Sequence, residues 1–258
     1  MERITSRKNS LLMKIRKLSS GSARARREAG EYLGDGVKLL EEALCWEAPL
    51  TTVVVTEGAQ VPELPQGVRA IQVPQDVMET ISPMNTPQGA LFLARLPETT
   101  LPERLEGRRY LVLDGVQDPG NVGTLLRSAA AFGFDGVLLS DGCASVFAPK
   151  TLRASMGAAV RIPVIEAGKM PEAIALLREK GITCLAAALY QSQPLSAAAS
   201  SCPDGVCVVI GSEGQGLTDE TIAACTGTVR IPMTDRVESL NAGIAGSILL
   251  WHFREESL

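Results

Sequence analysis

The stretch LDGVQDPGNVGTLLRSAAAFGFDGVLL, residues 113–139, places a strand, a tight turn, a helix and a second strand in immediate succession. Both strands are apolar runs, a pattern that favours parallel strands joined by a crossover helix. The helix, predicted from Asn121 to Phe132, carries one charged residue, Arg127. Asn121 lies where the chain enters this helix, and backbone N–H groups lack partners there. Such a helix start can hold a ligand or an acceptor oxygen.

The chain beyond residue 108 repeats this alternation, so we expect an α/β domain over 108–258 with a parallel sheet covered by helices on both faces. Strands are predicted at 110–115, 136–140, 182–189, 206–211 and 229–232, and helices near 121–132, 149–157, 171–180 and 218–225 and from Ser239 onward. Ligands of such sheets bind beyond the carboxyl ends of the strands. The loops that follow the strands are therefore the places to search for a site.

Residues 1–98 predict a second, smaller α/β domain. Helical patterns lie near 7–18 and 36–46, and short strand-like runs lie at 51–56, 68–73 and 90–95. The stretch 99–107 is rich in proline and charge and has no periodicity, which is typical of a linker.

Composition excludes several classes of protein. With 258 residues and 45% hydrophobic residues, the chain can bury one large core or two modest ones, and no apolar run is long enough to span a membrane. Six cysteines without a C-x-x-C pair suggest neither a disulfide framework nor a zinc site, so we expect a soluble, cytoplasmic protein without a metal. The only histidine is His252, close to residue 258, so a Ser-His-Asp triad, a histidine-based metal site or a histidine general base in the core of the chain is excluded.

Charge is distributed unevenly along the chain. Residues 1–30 hold nine Lys and Arg against two Glu, a net charge of +7, so the remaining 228 residues carry −11. This basic arm is either a solvated surface or a segment that contacts the phosphates of a nucleic acid.

A glycine-rich loop follows another apolar strand. The stretch VVIGSEGQGL, residues 208–217, has Gly211, Gly214 and Gly216 around Glu213. Glycines at such a bend allow the backbone to approach a ligand closely, although an ordinary turn has the same composition. The loop lacks the Gly-Lys-Ser/Thr of a P-loop and the G-x-G-x-x-G of dinucleotide-binding proteins.

A third unusual stretch is VRIPMTDRVESLNAGIAGSILLWHF, residues 229–253. We expect a strand that ends at Pro232, a polar loop, and a helix with Ser239 as its N-cap. The first turns of this helix are built from small residues, which permit close packing or a ligand alongside.

Together, the three stretches resemble the motifs of the SpoU group of SPOUT methyltransferases, which transfer a methyl group from S-adenosylmethionine to a ribose 2′-hydroxyl of RNA. The similarity rests on NVGTLLRSAAAFG (121–133), IGSEGQGL (210–217), and IPM with SLN (231–241). APKTLRASMGAAVRIPV (148–164) is similar to the family's segment between its first two motifs. ITSRKNSLLMKIRKL, GEYLGDGVKLLEEAL and TPQGALFLAR resemble its L30e-like RNA-binding domain. Asp35 stands where a glutamate is usual, and Trp251-His252 where Tyr-Glu is common.

This resemblance implies a deep trefoil knot in the C-terminal domain and a homodimer with its site completed across the interface. It implies catalytic roles for Asn121, Arg127, Glu213, Ser239 and Asn241. It also implies a cleft for S-adenosylmethionine formed by Gly211, Gly216, Ile231, Met233 and Leu240.

The chemistry of methyl transfer qualifies the role that the resemblance implies for Arg127. The family's matching arginine is assigned as the base, yet a guanidinium stays protonated in essentially every protein setting. We therefore expect Arg127 to orient the ribose–phosphate and stabilise the developing alkoxide, while the literal base remains the alternative. Glu213 is expected to shape its loop, and Asn121 and Asn241 to position groups.

The sequence is compatible with several alternatives. The L30e-like resemblance favours 23S ribosomal RNA as the substrate over transfer RNA. A non-catalytic RNA-binding protein would have no use for the second and third motifs, and a nucleotide-dependent enzyme would need a phosphate fingerprint that is absent.

Overall fold

The computed structural model describes residues 1–189, 192–198, 202 and 204–254. Its strands are β1 (Glu2–Arg3), β2 (Glu31–Asp35), β3 (Leu50–Thr56), β4 (Arg69–Val73), β5 (Ala90–Arg95), β6 (Arg109–Asp114), β7 (Gly136–Ser140), β8 (Val164–Gly168), β9 (Thr183–Ala187), β10 (Gln193–Pro194), β11 (Val206–Gly211) and β12 (Gly227–Arg230). Its helices are α1 (Ser10–Ser19), α2 (Ala23–Ala29), α3 (Val37–Cys45), α4 (Gln75–Ile81), α5 (Pro119–Ala131), α6 (Pro149–Ser155), α7 (Met170–Glu179), α8 (Leu195–Ala198), α9 (Asp219–Ala224) and α10 (Ala242–His252). Within these described parts, no helix is both long and apolar enough to cross a membrane.

The chain divides into two compact units. Unit 1 consists of Met1–Glu98 together with Phe147–Val160, and unit 2 of Thr99–Val146 together with Arg161–Leu258. The chain thus leaves unit 2 after β7, contributes α6 to unit 1, and returns as β8.

Unit 1 is built on a mixed five-stranded sheet in the order β1-β4-β3-β5-β2. Its helices pack on the sheet through apolar residues at helical spacing, as in α1, where Leu12, Ile15 and Leu18 are buried. The segment 147–160 also belongs to this packing, because the Phe147 ring lies 5.0 Å from that of Tyr32. Asp35, at the end of β2, is buried and accepts a hydrogen bond of 2.6 Å from the Ser82 hydroxyl.

The basic arm is folded into unit 1. Five of its nine cations form ion pairs with acidic side chains of unit 1: Arg3 with Glu57, Arg7 with Asp76, Lys14 with Glu31, and Lys17 and Arg24 with Glu28. Arg16 donates to the carbonyl of Thr80. Arg26 is buried and donates to the carbonyl of Gly21. Lys8 and Arg27 are exposed.

Unit 2 contains a seven-stranded sheet in the order β10-β12-β9-β11-β6-β7-β8, and every pair of neighbours in it is parallel. The predicted parallel sheet is therefore confirmed. Its central strands read as apolar runs because both faces are covered, and β6, β9 and β11 contribute side chains that are almost fully buried. Residues before β6 are attached to this unit, since the Glu166 N–H donates to the Thr99 carbonyl at 2.6 Å.

Two predicted boundaries in the third stretch are wrong. The strand β12 spans Gly227–Arg230 and ends before Pro232, because its neighbour β9 ends at Ala187, which pairs with Val229. The last helix begins at Ala242 and its N-cap is Asn241, whose side-chain oxygen accepts the Ile244 N–H at 3.2 Å. Ser239 therefore precedes the cap. Both residues are good capping types, and propensity alone does not separate them.

Candidate functional site

The three stretches converge at the carboxyl edge of the sheet in unit 2. Strands β6 and β11 are neighbours, and their last residues, Asp114 and Gly211, stand opposite each other in the register. The turn that leads into α5 and the glycine loop (residues 211–216) therefore leave the sheet side by side. This is the edge at which open parallel sheets bind ligands.

The start of α5 is fixed by a cap. Asp118 is the N-cap and its carboxylate accepts the Asn121 N–H at 2.9 Å, while Pro119 occupies the first helical position, where no N–H is needed. The helix thus begins two residues before the predicted start at Asn121. Sequence reasoning did not single out Asp118, although Asp followed by Pro is a recognisable helix-start signal.

Glu213 joins the glycine loop to this helix start. One carboxylate oxygen, Oε1, accepts the Asn121 side-chain N–H at 2.8 Å and the Asp118 N–H at 3.4 Å, and Oε2 accepts the Gln117 N–H at 3.3 Å. Asn121 itself is buried. The predicted pairing of the first two stretches in one site is thus realised by direct contacts between Glu213 and Asn121.

The protonation of Glu213 follows from these contacts. Partial burial raises the pKa of its carboxyl group, but the hydrogen bonds from Asn121 and from backbone N–H groups outweigh burial, so the pKa lies below its ordinary value. Glu213 is therefore an anion that serves as a hydrogen-bond acceptor. A group with these properties is a poor general base at neutral pH.

The glycines of the loop have different physical roles. Ser212 and Gly216 exchange two backbone hydrogen bonds of 3.0 Å, which close the loop. A Cβ on Gly211 would lie 2.3 Å from the carbonyl carbon of Gly216, so only glycine fits there. Gly216 has a φ of +70°, which favours glycine. A Cβ on Gly214 or Gly216 would meet nothing within 4 Å, so the space around these two residues is open.

The start of α10 contacts the start of α5. A Cβ on Gly243 would lie 3.1 Å from the side-chain oxygen of Asn121 and 3.2 Å from that of Asn241. One turn further, a Cβ on Gly246 would lie 2.2 Å from Leu125, so the small residues of α10 serve close helix packing. The two asparagines therefore flank one glycine, and all three stretches meet there.

Arg127 and Ser239 differ from the other predicted site residues. Both are exposed, and the described structure contains no hydrogen bond or ion pair of either side chain. Arg127 lies on α5 six residues after Asn121, and its side chain is exposed to a ligand from solvent. The structure brings Asn121, Glu213 and Asn241 together, whereas Arg127 and Ser239 lie exposed outside this cluster of contacts.

Three residues predicted to bind the cofactor lie between β12 and α10. Ile231, Met233 and Leu240 are half-buried, in a stretch without regular secondary structure. The backbone N–H and C=O groups of such a stretch are not hydrogen-bonded in a β-sheet or helix. They suit a ligand that is recognised through the main chain. With the open space at Gly214 and Gly216, the residues fit S-adenosylmethionine. Among the residues that the structure describes, no cluster of His, Cys, Asp or Glu could hold a metal ion.

Comparison with known proteins agrees with this class of fold. Residues 108–251 match the family model described as SpoU rRNA Methylase family, and residues 9–91 match the MRM3-like substrate binding domain. The chain is an α/β protein with a parallel seven-stranded sheet, and it belongs to the SpoU rRNA methylase family.

Individual relatives cover nearly the whole chain. The 23S rRNA (guanosine(2553)-2′-O)-methyltransferase RlmP of Bacillus subtilis is 30% identical over 255 residues, which are 98% of this chain and 100% of the relative. The crystal structure of an AdoMet-bound rRNA methyltransferase from Sinorhizobium meliloti has a TM-score of 0.83 at 27% identity, and covers 97% of this chain and 96% of its own. A crystal structure of an RNA 2′-O ribose methyltransferase has a TM-score of 0.79 at 28% identity, and covers 97% of both chains.

Proposed function

We propose that this protein transfers a methyl group from S-adenosylmethionine to a ribose 2′-hydroxyl of 23S ribosomal RNA. The observation that carries the proposal is the contact of Glu213 with Asn121, next to Asn241, at the carboxyl edge of the sheet. Relatives of full length support it, since the Bacillus subtilis relative is a 23S rRNA 2′-O-methyltransferase. We assign residues 1–98 as the L30e-like RNA-binding domain, 99–107 as the linker and 108–258 as the methyltransferase domain, whose segment 147–160 packs with unit 1.

The mechanism follows from the properties of the side chains. S-adenosylmethionine, when bound, supplies a methyl group on a positively charged sulfur. Asn121, Asn241 and Glu213 fix the loops that face the ligand, and Ser239 adds a hydroxyl beside them. Arg127 orients the ribose–phosphate and stabilises the negative charge that develops on the ribose oxygen. The proton passes to a phosphate oxygen or water, since Glu213 is already occupied by three donors.

The cofactor cleft consists of the glycine loop and the stretch before α10. Gly211 and Gly216 allow close approach of the backbone, and Ile231, Met233 and Leu240 present main-chain groups and apolar side chains. This assignment is supported by the space and conformation that the two glycines provide and by the partial burial of Ile231, Met233 and Leu240.

The RNA-binding surface of unit 1 includes the basic arm. Most cations of the arm already have partners within unit 1, so we assign phosphate contacts first to Lys8 and Arg27, which are exposed. A cation that has no carboxylate partner is free to release counterions from RNA.

We further propose a homodimer formed through α10. This helix exposes an apolar stripe of Ile244, Ile248 and Trp251, which are 53%, 37% and 54% exposed and are spaced by four and three residues. Phe132 packs against Trp251 with ring centroids 5.4 Å apart and extends the stripe. A second copy that covers the stripe would complete the site from the partner subunit.

Two other features belong to this proposal. The family resemblance implies the trefoil knot in the C-terminal domain. A cytoplasmic location is consistent with six free cysteines, three of them buried in unit 2, and with a ribosomal substrate.

The proposal is tested by incubating the protein with methyl-labelled S-adenosylmethionine and either 23S ribosomal RNA or total transfer RNA. We expect label in 23S RNA, at a single nucleotide that becomes resistant to alkaline cleavage on its 3′ side because its 2′-oxygen is blocked. Label in transfer RNA alone would redirect the substrate assignment. RNA binding without any transfer would support a non-catalytic RNA-binding protein.

A further inference from the structure

The far end of the glycine loop is held by a chain of hydroxyl groups. Thr218 is the N-cap of α9, and its hydroxyl oxygen accepts the Thr221 N–H at 3.1 Å. The same hydroxyl donates to the Thr221 hydroxyl at 2.9 Å. Thr221 is 2% exposed, so its hydroxyl group is buried and needs a partner of its own.

That partner is Asp114. The Thr221 hydroxyl donates to the Asp114 carboxylate at 2.7 Å. Each hydroxyl thus donates its one proton in the same direction, and the chain ends on a carboxylate that can only accept. Hydrogen bonds to an ionised acceptor are roughly twice as strong as those between neutral groups. Asp114 is also the strand residue that stands opposite Gly211.

The glycine loop is therefore anchored from both sides to one segment, residues 114–121. Glu213, within the loop, accepts from Gln117, Asp118 and Asn121. Asp114, in the segment, accepts from the helix that follows the loop. Between these two anchors, Gly115 has a φ of +72°, and a Cβ on it would lie 3.6 Å from the Ser212 Cβ. Two carboxylates thus fix the loop by reciprocal contacts.

We propose that Asp114 and Thr221 are positioning residues that set the cofactor-binding conformation of the glycine loop. This inference rests on the proposed function. Neither residue belongs to the predicted site, and neither needs to touch the cofactor. Without the Asp114–Thr221 bond, the start of α9 loses its attachment to β6, and the backbone around Gly216 loses one of its two anchors. We expect loss of this bond to weaken the binding of S-adenosylmethionine more than it slows the chemical step.

The test measures kcat and KM for S-adenosylmethionine in transfer to 23S ribosomal RNA. For Thr221→Val, which removes the donor with little change in shape, we expect KM to rise about tenfold while kcat changes less than about threefold, a tenfold change being 1.4 kcal/mol. Thr221→Ser restores the donor and should restore KM. Asp114→Ala should resemble Thr221→Val, and the double variant should be no worse than either, because both remove one interaction.

The matched control is Thr226→Val. The Thr226 hydroxyl accepts the Cys184 N–H at 3.1 Å, near the amino ends of β9 and β12 and thus at the opposite edge of the sheet. Its loss should leave KM unchanged. If Thr221→Val does not fold, Asp114→Asn is measured in its place. This variant keeps the shape of the side chain but weakens the hydrogen-bond acceptor, so we expect KM to rise severalfold.

Two results would overturn the inference. An active wild-type protein whose KM is unchanged in Thr221→Val, or in Asp114→Asn where that variant carries the test, would refute the positioning role alone. A wild-type protein that binds no S-adenosylmethionine would refute the proposed function and the positioning role with it.

Discussion

Arg127 is the residue on which the proposed chemistry depends most. It is exposed and is not fixed by other side chains in the described structure, so its loss should not affect folding. We expect Arg127→Ala to lower kcat by about 10²- to 10³-fold, the effect of losing one stabilising donor. Arg127→Lys should also lose at least about tenfold, since lysine lacks the two-pronged geometry. Measured kcat across pH checks both, and near-full activity of Arg127→Lys with an unchanged pH profile would refute a role for guanidinium geometry.

The lowered pKa of Glu213 predicts that the free energy of unfolding depends on pH. Because the pKa of Glu213 is lowered in the folded protein, its contribution to stability is fully present above the ordinary glutamate pKa of about 4.3 and is lost as pH falls through the lowered value. Glu213→Gln should therefore destabilise the protein at pH 7 and have a diminishing effect below about pH 4. Urea unfolding of both proteins across this range measures the difference. A difference that does not shrink in acid would contradict the assigned hydrogen bonds.

At the scale of the element, α10 has two contrasting faces. Its inner face carries Gly243 and Gly246, which allow close packing on α5, whereas its outer face carries the apolar stripe. Ile248→Asp should place a charge in the proposed interface and convert a dimer into a monomer. Val237→Asp is the control, because Val237 is 52% exposed and lies outside the helix. Sedimentation analysis distinguishes the outcomes, and a wild-type monomer or a dimeric Ile248→Asp would contradict the proposed interface.

At the scale of the whole molecule, charge determines how RNA binding responds to salt. We expect the variant Lys8→Ala/Arg27→Ala to weaken 23S RNA binding and to reduce the slope of log K against log salt by about 1.5, the value for two lost phosphate contacts. Arg7→Gln/Asp76→Asn removes an ion pair without changing net charge, so its slope should match that of the wild type. Filter binding at several salt concentrations gives these slopes. Equal slopes for wild type and Lys8→Ala/Arg27→Ala would show that the RNA contacts lie elsewhere.

The sequence predicted the parallel sheet and the meeting of the first two stretches because these depend on local signals. Apolar runs mark β6 and β11, and parallel strands bring their carboxyl ends to one edge. The choice of Asn241 over Ser239 as the cap could not be predicted, because serine and asparagine are both good capping residues and no local signal separates them. Likewise, the pairing of Asp114 with Thr221 joins residues 107 positions apart, and no local pattern marks it. The same holds for Phe147, which packs in unit 1 although it follows β7.

The central claim is that S-adenosylmethionine binds where the glycine loop closes. Calorimetric titration of S-adenosylmethionine into wild type, Gly211→Ala and Gly227→Ala tests it most directly. A Cβ at Gly211 would lie within 2.5 Å of the backbone of Gly216 and Leu217, whereas one at Gly227 would be 3.9 Å from Leu185, an ordinary contact. We predict binding by wild type and Gly227→Ala and loss of binding in a folded Gly211→Ala. Wild-type affinity in Gly211→Ala would contradict the assigned site.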